Sequence, residues 1–184
     1  MGTTQFAGKA SEILDVAEAR MRAGGFDAVS FRDIAADVGI KSASVHYHFP
    51  QKVDLGEAVI KRYRERFAER LGAPDDPDES VRRRIERLCG GYRQSTVKEG
   101  KVCLACVLGG EALNLPAPLS QSVGSYFDWL LEWTDRALRT SATAAPAIPA
   151  SVVIGSLQGS MILAVATHDP DVFLETERWI LASL

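Results

Sequence analysis

Apolar residues recur at spacings of three and four along almost the whole chain, and this period limits the chain to a helical fold. The first such stripe consists of Phe6, Ala10, Ile13, Leu14, Ala17 and Met21. Gly24 and Gly25 follow it, as glycine often follows a helix end. Segments with the same period lie at about 51–71, 78–97, 102–113, 116–139, 150–167 and 171–183. No stretch alternates strictly between polar and apolar residues, so the sequence predicts an all-α fold without a sheet.

Two short helices joined by a tight turn are predicted before the first of these longer segments. Ser30 is placed to cap the first short helix, with Asp33 three residues later as in a capping box, and Gly39 ends it. Ser42 is placed to cap the second. Pro50 ends the second helix because the residue before proline is driven out of the helical conformation. This plan is typical of a helix-turn-helix, in which the second helix enters the major groove of DNA.

The second short helix has a polar outer face that is rich in rings. Hydroxyl, phenol and imidazole groups can bond phosphate oxygens or base edges, and lysine adds charge toward phosphate. The candidate DNA-binding side chains are Ser30, Lys41, Ser42, Ser44, His46, Tyr47, His48 and Lys52. His46 and His48 are two residues apart and therefore on different helix faces, so we expect no metal site there. Two ordinary amphipathic helices of a bundle remain the alternative interpretation.

This part of the chain resembles the N-terminal domain of the TetR family of bacterial repressors. The resemblance covers about residues 6–63 and rests on the pair Ile34-Ala35, Gly39, the aromatic-rich helix that ends at Phe49, and Lys52. His46 departs from the pattern, since the family usually has tyrosine there. The resemblance implies that Ser30 and Lys52 contact phosphate, and that Ser44 and Tyr47 lie on the exposed face of the recognition helix.

The same resemblance implies a domain organisation and a mechanism. Residues 1–50 would form a three-helix helix-turn-helix DNA-binding domain, and residues 51–184 a C-terminal helical ligand-binding and dimerisation domain. The last two helices would pair with those of a second copy, giving a homodimer that binds a palindromic double-stranded DNA operator. Binding of a small apolar or electrophilic effector would then weaken operator binding.

An apolar cavity for the effector is expected between helices of the C-terminal part. The candidate lining residues are Cys103, Cys106, Val107, Tyr126, Phe127, Trp129, Leu130, Trp133 and Met161. The alternative for each is plain core packing, which is the more common role of such residues at helical spacing. Glu111, within an apolar segment, is predicted to face solvent, and the alternative is that it orients a polar group of the ligand.

Two cysteines three residues apart allow a different kind of effector. Cys103 and Cys106 are predicted on one helix face, where Lys101 could lower a thiol pKa and favour reaction with an electrophile. The segment loosely resembles a Gly-Cys-Leu stretch in TetR subgroups that include cysteine-based sensors. The alternative is that both thiols are buried small hydrophobic groups, which is a common state for free cysteine.

Composition restricts the remaining classes of function. The net charge is −3, and the first sixty residues contain six cationic and eight anionic side chains, so DNA contact requires a local cationic face. That charge keeps open a helical protein that acts through protein partners without DNA. Phosphate loops, nucleophile elbows and metal-ligand spacings are absent from the sequence, so we expect neither an enzyme nor a cofactor.

The sequence also gives an expectation for compartment. The segment 152–166 is the most apolar, and its glycine, serine and glutamine residues predict that it is too short and too polar to span a membrane. The first residues do not resemble a signal peptide, and three cysteines do not suggest a disulfide framework. We therefore expect a cytoplasmic protein without a membrane partner.

Overall fold

Every regular element in the described part of the chain is a helix. The computed structural model describes residues 8–139, 146 and 148–184. Over these residues the helices are α1 (Lys9–Gly24), α2 (Phe31–Val38), α3 (Ser42–His48), α4 (Lys52–Leu71), α5 (Val81–Arg93), α6 (Leu104–Gly110), α7 (Ala117–Leu138), α8 (Ala150–Thr167) and α9 (Asp171–Ala182). A π-helical turn, Gln94–Lys98, continues α5. No strand occurs in these ranges, which confirms the predicted all-α class.

Some predicted helix ends are wrong. The N-cap position of α3 is occupied by Lys41 without a side-chain hydrogen bond, and Ser42 is the first helical residue. The helix predicted to start near residue 78 begins at Val81, because the Ser80 hydroxyl accepts the Arg83 N–H and caps it there. Phe6 and most of the residues between the predicted helices at 116–139 and 150–167 lie outside the described residues.

The chain divides into two compact units. One, the N-terminal unit, consists of the residues up to Glu65 together with Leu104–Tyr126, and the other, the C-terminal unit, of Arg66–Cys103 and Phe127–Leu184. Both α4 and α7 contribute residues to each unit. The expected boundary at residue 50 separates a DNA-binding part from a ligand-binding and dimerisation part. These compact units do not test that division of roles, so the boundary stays a prediction.

The core of the N-terminal unit is formed by one face each of α1, α2 and α3. Packing joins α1 to α2, α3 and α6, and α2 to α3. The fully buried side chains at its centre are Ile13, Leu14, Met21, Ile34, Val45 and Leu55. On α4, Arg62 is also buried, and its guanidinium binds the carboxylates of Asp15 and Glu18 on α1. This packing fixes the two short helices on a rigid base.

The C-terminal unit is organised by α5, α8 and α9. Its buried side chains include Ile85, Leu88, Tyr92, Leu157, Met161, Phe173 and Ile180. The buried Gln158 amide donates to the Tyr92 hydroxyl at 3.1 Å. The buried Glu177 carboxylate on α9 binds the guanidinium of Arg93 on α5, and this partner raises the pKa of Arg93 further above its usual range.

The apolar helix α8 corrects one expectation. It has 18 residues with a mean hydropathy of 1.6, so it is long and apolar enough to cross a membrane by length and composition. The prediction that it is too short and too polar was therefore wrong on this criterion. Only 44% of the helix is buried, and a core helix passes the same test, so the feature is weak evidence for a membrane span.

Candidate DNA-binding surface

The start of α2 is held by its cap. The Ser30 hydroxyl accepts the N–H of Asp33 at 3.1 Å and donates to the carboxylate Oδ2 of Asp33 at 2.6 Å, so the predicted capping pair is confirmed. The hydrogen bond from Ser30 is the main cause that lowers the pKa of Asp33. Because the single O–H donor of Ser30 is engaged with Asp33, a phosphate contact at Ser30 has to replace that hydrogen bond or use a backbone N–H.

The turn after α2 requires glycine. Gly39 has φ of 71° and ψ of 38°, the left-handed conformation that favours glycine. Its N–H donates to the Ala36 carbonyl, and the Ile40 N–H donates to the Ala35 carbonyl. These are the two backbone hydrogen bonds of a Schellman motif. The turn therefore ends α2 within one residue and directs the chain into α3.

One side of α3 is buried and the other faces solvent. Val45 is completely buried, and Phe49, just past the helix, is nearly so. Lys41, Ala43 and His48 are exposed, and Tyr47, two residues after Val45 and so on the other side of the helix, has 84% of its surface exposed. Ser42 and Ser44 are half-buried. The arrangement leaves a polar helix face with one prominent phenol available for contact.

The rings on α3 differ in their freedom. The His46 ring lies edge-on to Phe31, with centroids 4.5 Å apart, and its Nδ1 is 3.4 Å from the Pro50 carbonyl oxygen. Tyr47 contacts only the edge of His48 among described rings, at 5.3 Å. Tyr47 is therefore the ring best placed to reach a base edge, while His46 is restrained by its neighbours.

The lysine at the start of α4 is held by neighbouring groups. The Lys52 ammonium lies 4.3 Å from the centre of the Phe26 ring and 3.6 Å from a carboxylate oxygen of Asp27. The first turn of α4 is capped by Asp54, whose carboxylate accepts the Gln51 N–H at 2.9 Å. The structure thus gives Lys52 a fixed position next to the loop between α1 and α2.

That loop is fastened by a residue whose role the sequence did not show. The Glu111 carboxylate accepts the Phe26 N–H at 2.9 Å, so the expectation that Glu111 faces solvent was wrong. The approach is close: a Cβ on Gly25 would lie 1.7 Å from Glu111 Oε1. The two residues are more than eighty positions apart, so no local pattern could have revealed the contact.

A second feature missed from the sequence is a cation on α2. The Arg32 side chain is 91% exposed beside the capped start of that helix, with only a 3.8 Å contact to Asp33. An exposed guanidinium at this place can reach a phosphate of DNA on the same side as Ser30. The signal was present in the sequence, because Arg32 is the only cationic residue of α2.

The sequence of the N-terminal unit matches a known family model. Residues 13–59 match the model described as bacterial regulatory proteins, tetR family. Over its full length the chain is similar to the crystal structure of a TetR transcriptional regulator from Legionella pneumophila, with 28% identity, coverage of 98% of this chain and 100% of that chain, and a TM-score of 0.88. The chain therefore resembles TetR-family regulators in its N-terminal sequence and in its fold.

Further solved structures support the same fold. A TetR-family transcriptional regulator from Agrobacterium tumefaciens is 26% identical over 96% of this chain and 97% of its own, with a TM-score of 0.82. The reduced form of NemR from Escherichia coli is 16% identical over 94% and 95%, with a TM-score of 0.79, and shows likeness of fold alone. No protein with a curated function matches the sequence. The resemblance to TetR regulators is confirmed, with the helix-turn-helix as its DNA-binding element.

The predicted effector residues fall into both units. In the N-terminal unit, Cys106 and Val107 are half-buried and Tyr126 is buried. In the C-terminal unit, Cys103, Leu130 and Met161 are fully buried, Phe127 is half-buried, and Trp129 and Trp133 border a cavity of about 240 Å³. Their role in binding an effector stays a prediction.

The cysteines are less available than a sensor requires. Cys103 is fully buried and directly precedes the first residue of α6, whereas Cys106 is half-buried within that helix, so the two thiols differ in access and their shared face stays a prediction. The Cys103 N–H donates to the Met161 sulfur at 3.2 Å. Burial, with a smaller contribution from Glu177, raises the pKa of Cys89 to about 12. No cluster of three metal-ligating side chains occurs among the residues that the structure describes.

Proposed function

We propose that the protein is a transcriptional repressor that binds a palindromic operator as a homodimer. The observation that carries the proposal is the geometry of α3, which is anchored by a completely buried Val45 while Tyr47 stands 84% exposed on its opposite side. A helix held in this way can enter a major groove without losing its own packing. In this proposal the protein binds DNA in the cytoplasm and catalyses no reaction, like other transcriptional regulators.

The contacts with DNA divide into two kinds in this proposal. Tyr47, with Ser44 and His48 beside it, reads base edges or the nearby backbone, and Lys41, Lys52 and Ser30 position the helix on phosphates. Ser42 and His46 complete the surface at the ends of α3. Arg32 supplies a further phosphate contact that the motif did not suggest.

The homodimer is supported by an exposed apolar face on α8 and α9. Val152, Ile162, Leu163 and Trp179 have between 42% and 55% of their surface exposed. Glycine and serine residues lie between them and leave a groove of about 590 Å³, into which another helix can pack closely. A two-fold dimer would present two copies of α3 to half-sites one helical turn apart, or a multiple of it.

Release from the operator is assigned to a small non-covalent effector. The burial of Cys103 and the raised pKa of Cys89 disfavour thiol chemistry, because reaction needs both access and thiolate. The alternative is release from the operator by cysteine modification. Cys106, which is half-buried, is the thiol that would be modified.

The test is a gel shift with the DNA upstream of the coding region, at low salt. Tyr47→Ala should weaken binding by about tenfold or more, which corresponds to about 1.4 kcal/mol, and should leave the oligomeric state intact. Leu113→Ala, at a fully exposed apolar residue of a loop, is the matched control and should bind like the wild type.

Three outcomes would change the proposal. Equal affinity of the Tyr47 variant and the wild type removes Tyr47 from the contact surface. A wild-type shift that N-ethylmaleimide abolishes, and that Cys106→Ser protects, replaces the non-covalent effector by thiol modification. A wild type that fails to shift both this DNA and a random operator library makes a protein that acts through protein partners the better description.

A further inference from the structure

The turn that follows α6 is attached to the loop 25–30, between α1 and α2, through the carboxylate of Glu111. Its Oε2 accepts the Phe26 N–H at 2.9 Å. The carboxylate occupies the space next to Gly25 that a side chain would fill, since a Cβ there would overlap both of its oxygens. All these residues belong to the N-terminal unit, in which α1 also packs on α6. Glu111 therefore holds the main chain of the loop.

Phe26 connects this attachment to α4. Its buried ring lies against Lys52 and Gly56, which are four residues apart and therefore on the same side of α4. The Lys52 ammonium is 4.3 Å from the ring centre, and a Cβ on Gly56 would lie 3.1 Å from the ring. The same Cβ would lie 2.9 Å from Leu119 of α7. Because the ring is enclosed in this way, a shift of the Phe26 main chain also shifts the surface on which the ammonium rests.

The charged end of Lys52 is held by the same loop. Besides the Phe26 ring, the ammonium contacts a carboxylate oxygen of Asp27 at 3.6 Å. Within the described part of the chain, these two neighbours of the ammonium come from adjacent loop residues. A lysine has a flexible four-carbon chain, so its ammonium has a defined position only where neighbouring groups supply one. The direction in which Lys52 points therefore depends on the loop as well as on α4.

We propose that Glu111 is a positioning residue for DNA binding. By holding the Phe26 main chain, it keeps the Phe26 ring and Asp27 where they direct Lys52 toward a phosphate of the operator. Glu111 itself does not touch DNA. The inference rests on the proposed function, because the phosphate belongs to the bound operator.

The sign of the effect distinguishes this role from a purely electrostatic one. DNA is a polyanion, so the removal of a carboxylate from the protein should strengthen binding by charge alone. A positioning role predicts the opposite for Glu111→Ala, which removes the charge and the hydrogen-bond acceptor together. Glu111→Gln removes the charge and keeps an amide oxygen as the acceptor of the Phe26 N–H. It should therefore bind DNA at least as tightly as the wild type.

The experiment measures affinity by fluorescence anisotropy at low salt, with the DNA upstream of the coding region and with a random-sequence duplex of equal length. The second probe is included because a phosphate contact does not depend on base sequence. Glu111→Ala should weaken binding to both by about tenfold, because the charge-assisted hydrogen bond from Lys52 to phosphate is lost. Glu111→Asp keeps the charge but is one methylene shorter, so it should also weaken binding, and it serves if the alanine variant does not fold.

The matched control is Glu79→Ala. It removes a half-buried carboxylate that binds Arg87 within the C-terminal unit, so it should bind DNA like the wild type. Circular dichroism shows whether each variant is folded at the temperature of the binding assay.

A double-mutant cycle tests whether Glu111 acts through Lys52. In a Lys52→Gln background, Glu111→Ala should have almost no further effect, because the lysine that it positions is absent. In a Lys41→Gln background, at the exposed N-cap position of α3, it should keep its full effect. A general loosening of the N-terminal unit would lower affinity in both backgrounds alike.

The outcomes separate this inference from the proposed function. If the wild type binds DNA, the positioning role is overturned by unchanged or tighter binding of Glu111→Ala, by equal losses in the alanine and glutamine variants, or by equal effects in the two lysine backgrounds. The repressor proposal survives each of these results. A wild type that binds neither DNA overturns the proposed function and this inference with it.

Discussion

The contact between Gly25 and Glu111 leads to a quantitative prediction. Gly25 has φ of 77° and ψ of −171°, a conformation that is essentially restricted to glycine, so alanine there costs about 1–3 kcal/mol in strain alone. The added Cβ would also displace Glu111 and leave the Phe26 N–H without its acceptor, for about 1–3 kcal/mol more. We expect Gly25→Ala to lower the free energy of unfolding by about 2–6 kcal/mol.

A double-mutant cycle isolates the cause. Glu111→Ala alone should cost about 1–3 kcal/mol, because it removes the acceptor of Phe26. In the Gly25→Ala background the same substitution should cost almost nothing, since the hydrogen bond is already lost. The two effects should therefore fall short of additivity by about 2 kcal/mol.

Urea unfolding followed by circular dichroism, at one fixed protein concentration, measures all four proteins. Gly39→Ala is the matched control, because Gly39 also has positive φ but a Cβ there would meet open space. Gly39→Ala should lower the free energy of unfolding by about 1–2 kcal/mol, because it adds backbone strain and no steric clash. Additive effects in the cycle, or a Gly25 variant no less stable than the Gly39 variant, would refute the assigned contact.

Two other predictions follow from the surface of the protein. Trp179→Lys places a charge on the exposed apolar face of α8 and α9, so it should convert the dimer to a monomer. Size-exclusion chromatography with light scattering measures the mass. An unchanged mass would show that this face is not the dimer interface. The lowered pKa of Asp33 means that its ionised form stabilises the fold above the ordinary aspartate value of about 4, and that this contribution is lost as pH falls through the lower folded pKa. The stability gap between wild type and Asp33→Asn in urea unfolding should therefore narrow from pH 5 to pH 3, and a constant gap would contradict the assigned hydrogen bond from Ser30.

The helix-turn-helix was predictable because its signals are local. Ser30 and Asp33 are three residues apart, and Gly39 is where a left-handed turn is needed, so the sequence alone predicts the end of one helix and the start of the next. The N-cap of α3 was harder to place. Lys41 occupies it through its extended backbone alone, and nothing in its side chain indicates that position.

The effector region was not predictable in the same way, because its geometry depends on distant pairs. The loop before α2, for example, is fastened by Glu111 across more than eighty residues. Aromatic and sulfur-containing residues suggested a cavity, but the same residues fill a core equally well, as Leu130 and Met161 do. Periodicity shows which face of a helix is buried and leaves open which helix covers it.

The pairing of Lys52 with Phe26 and Asp27 has a consequence for how binding responds to ionic strength. A lysine that already has an anionic neighbour 3.6 Å away recruits fewer counterions, and when a phosphate approaches, Asp27 must be moved or share the ammonium. The slope of log affinity against log salt then counts fewer ions than the number of cationic side chains in contact. In the proposed complex with DNA, a salt titration measures the phosphates newly neutralised, and Lys52 contributes mainly to the orientation of the helix on the backbone.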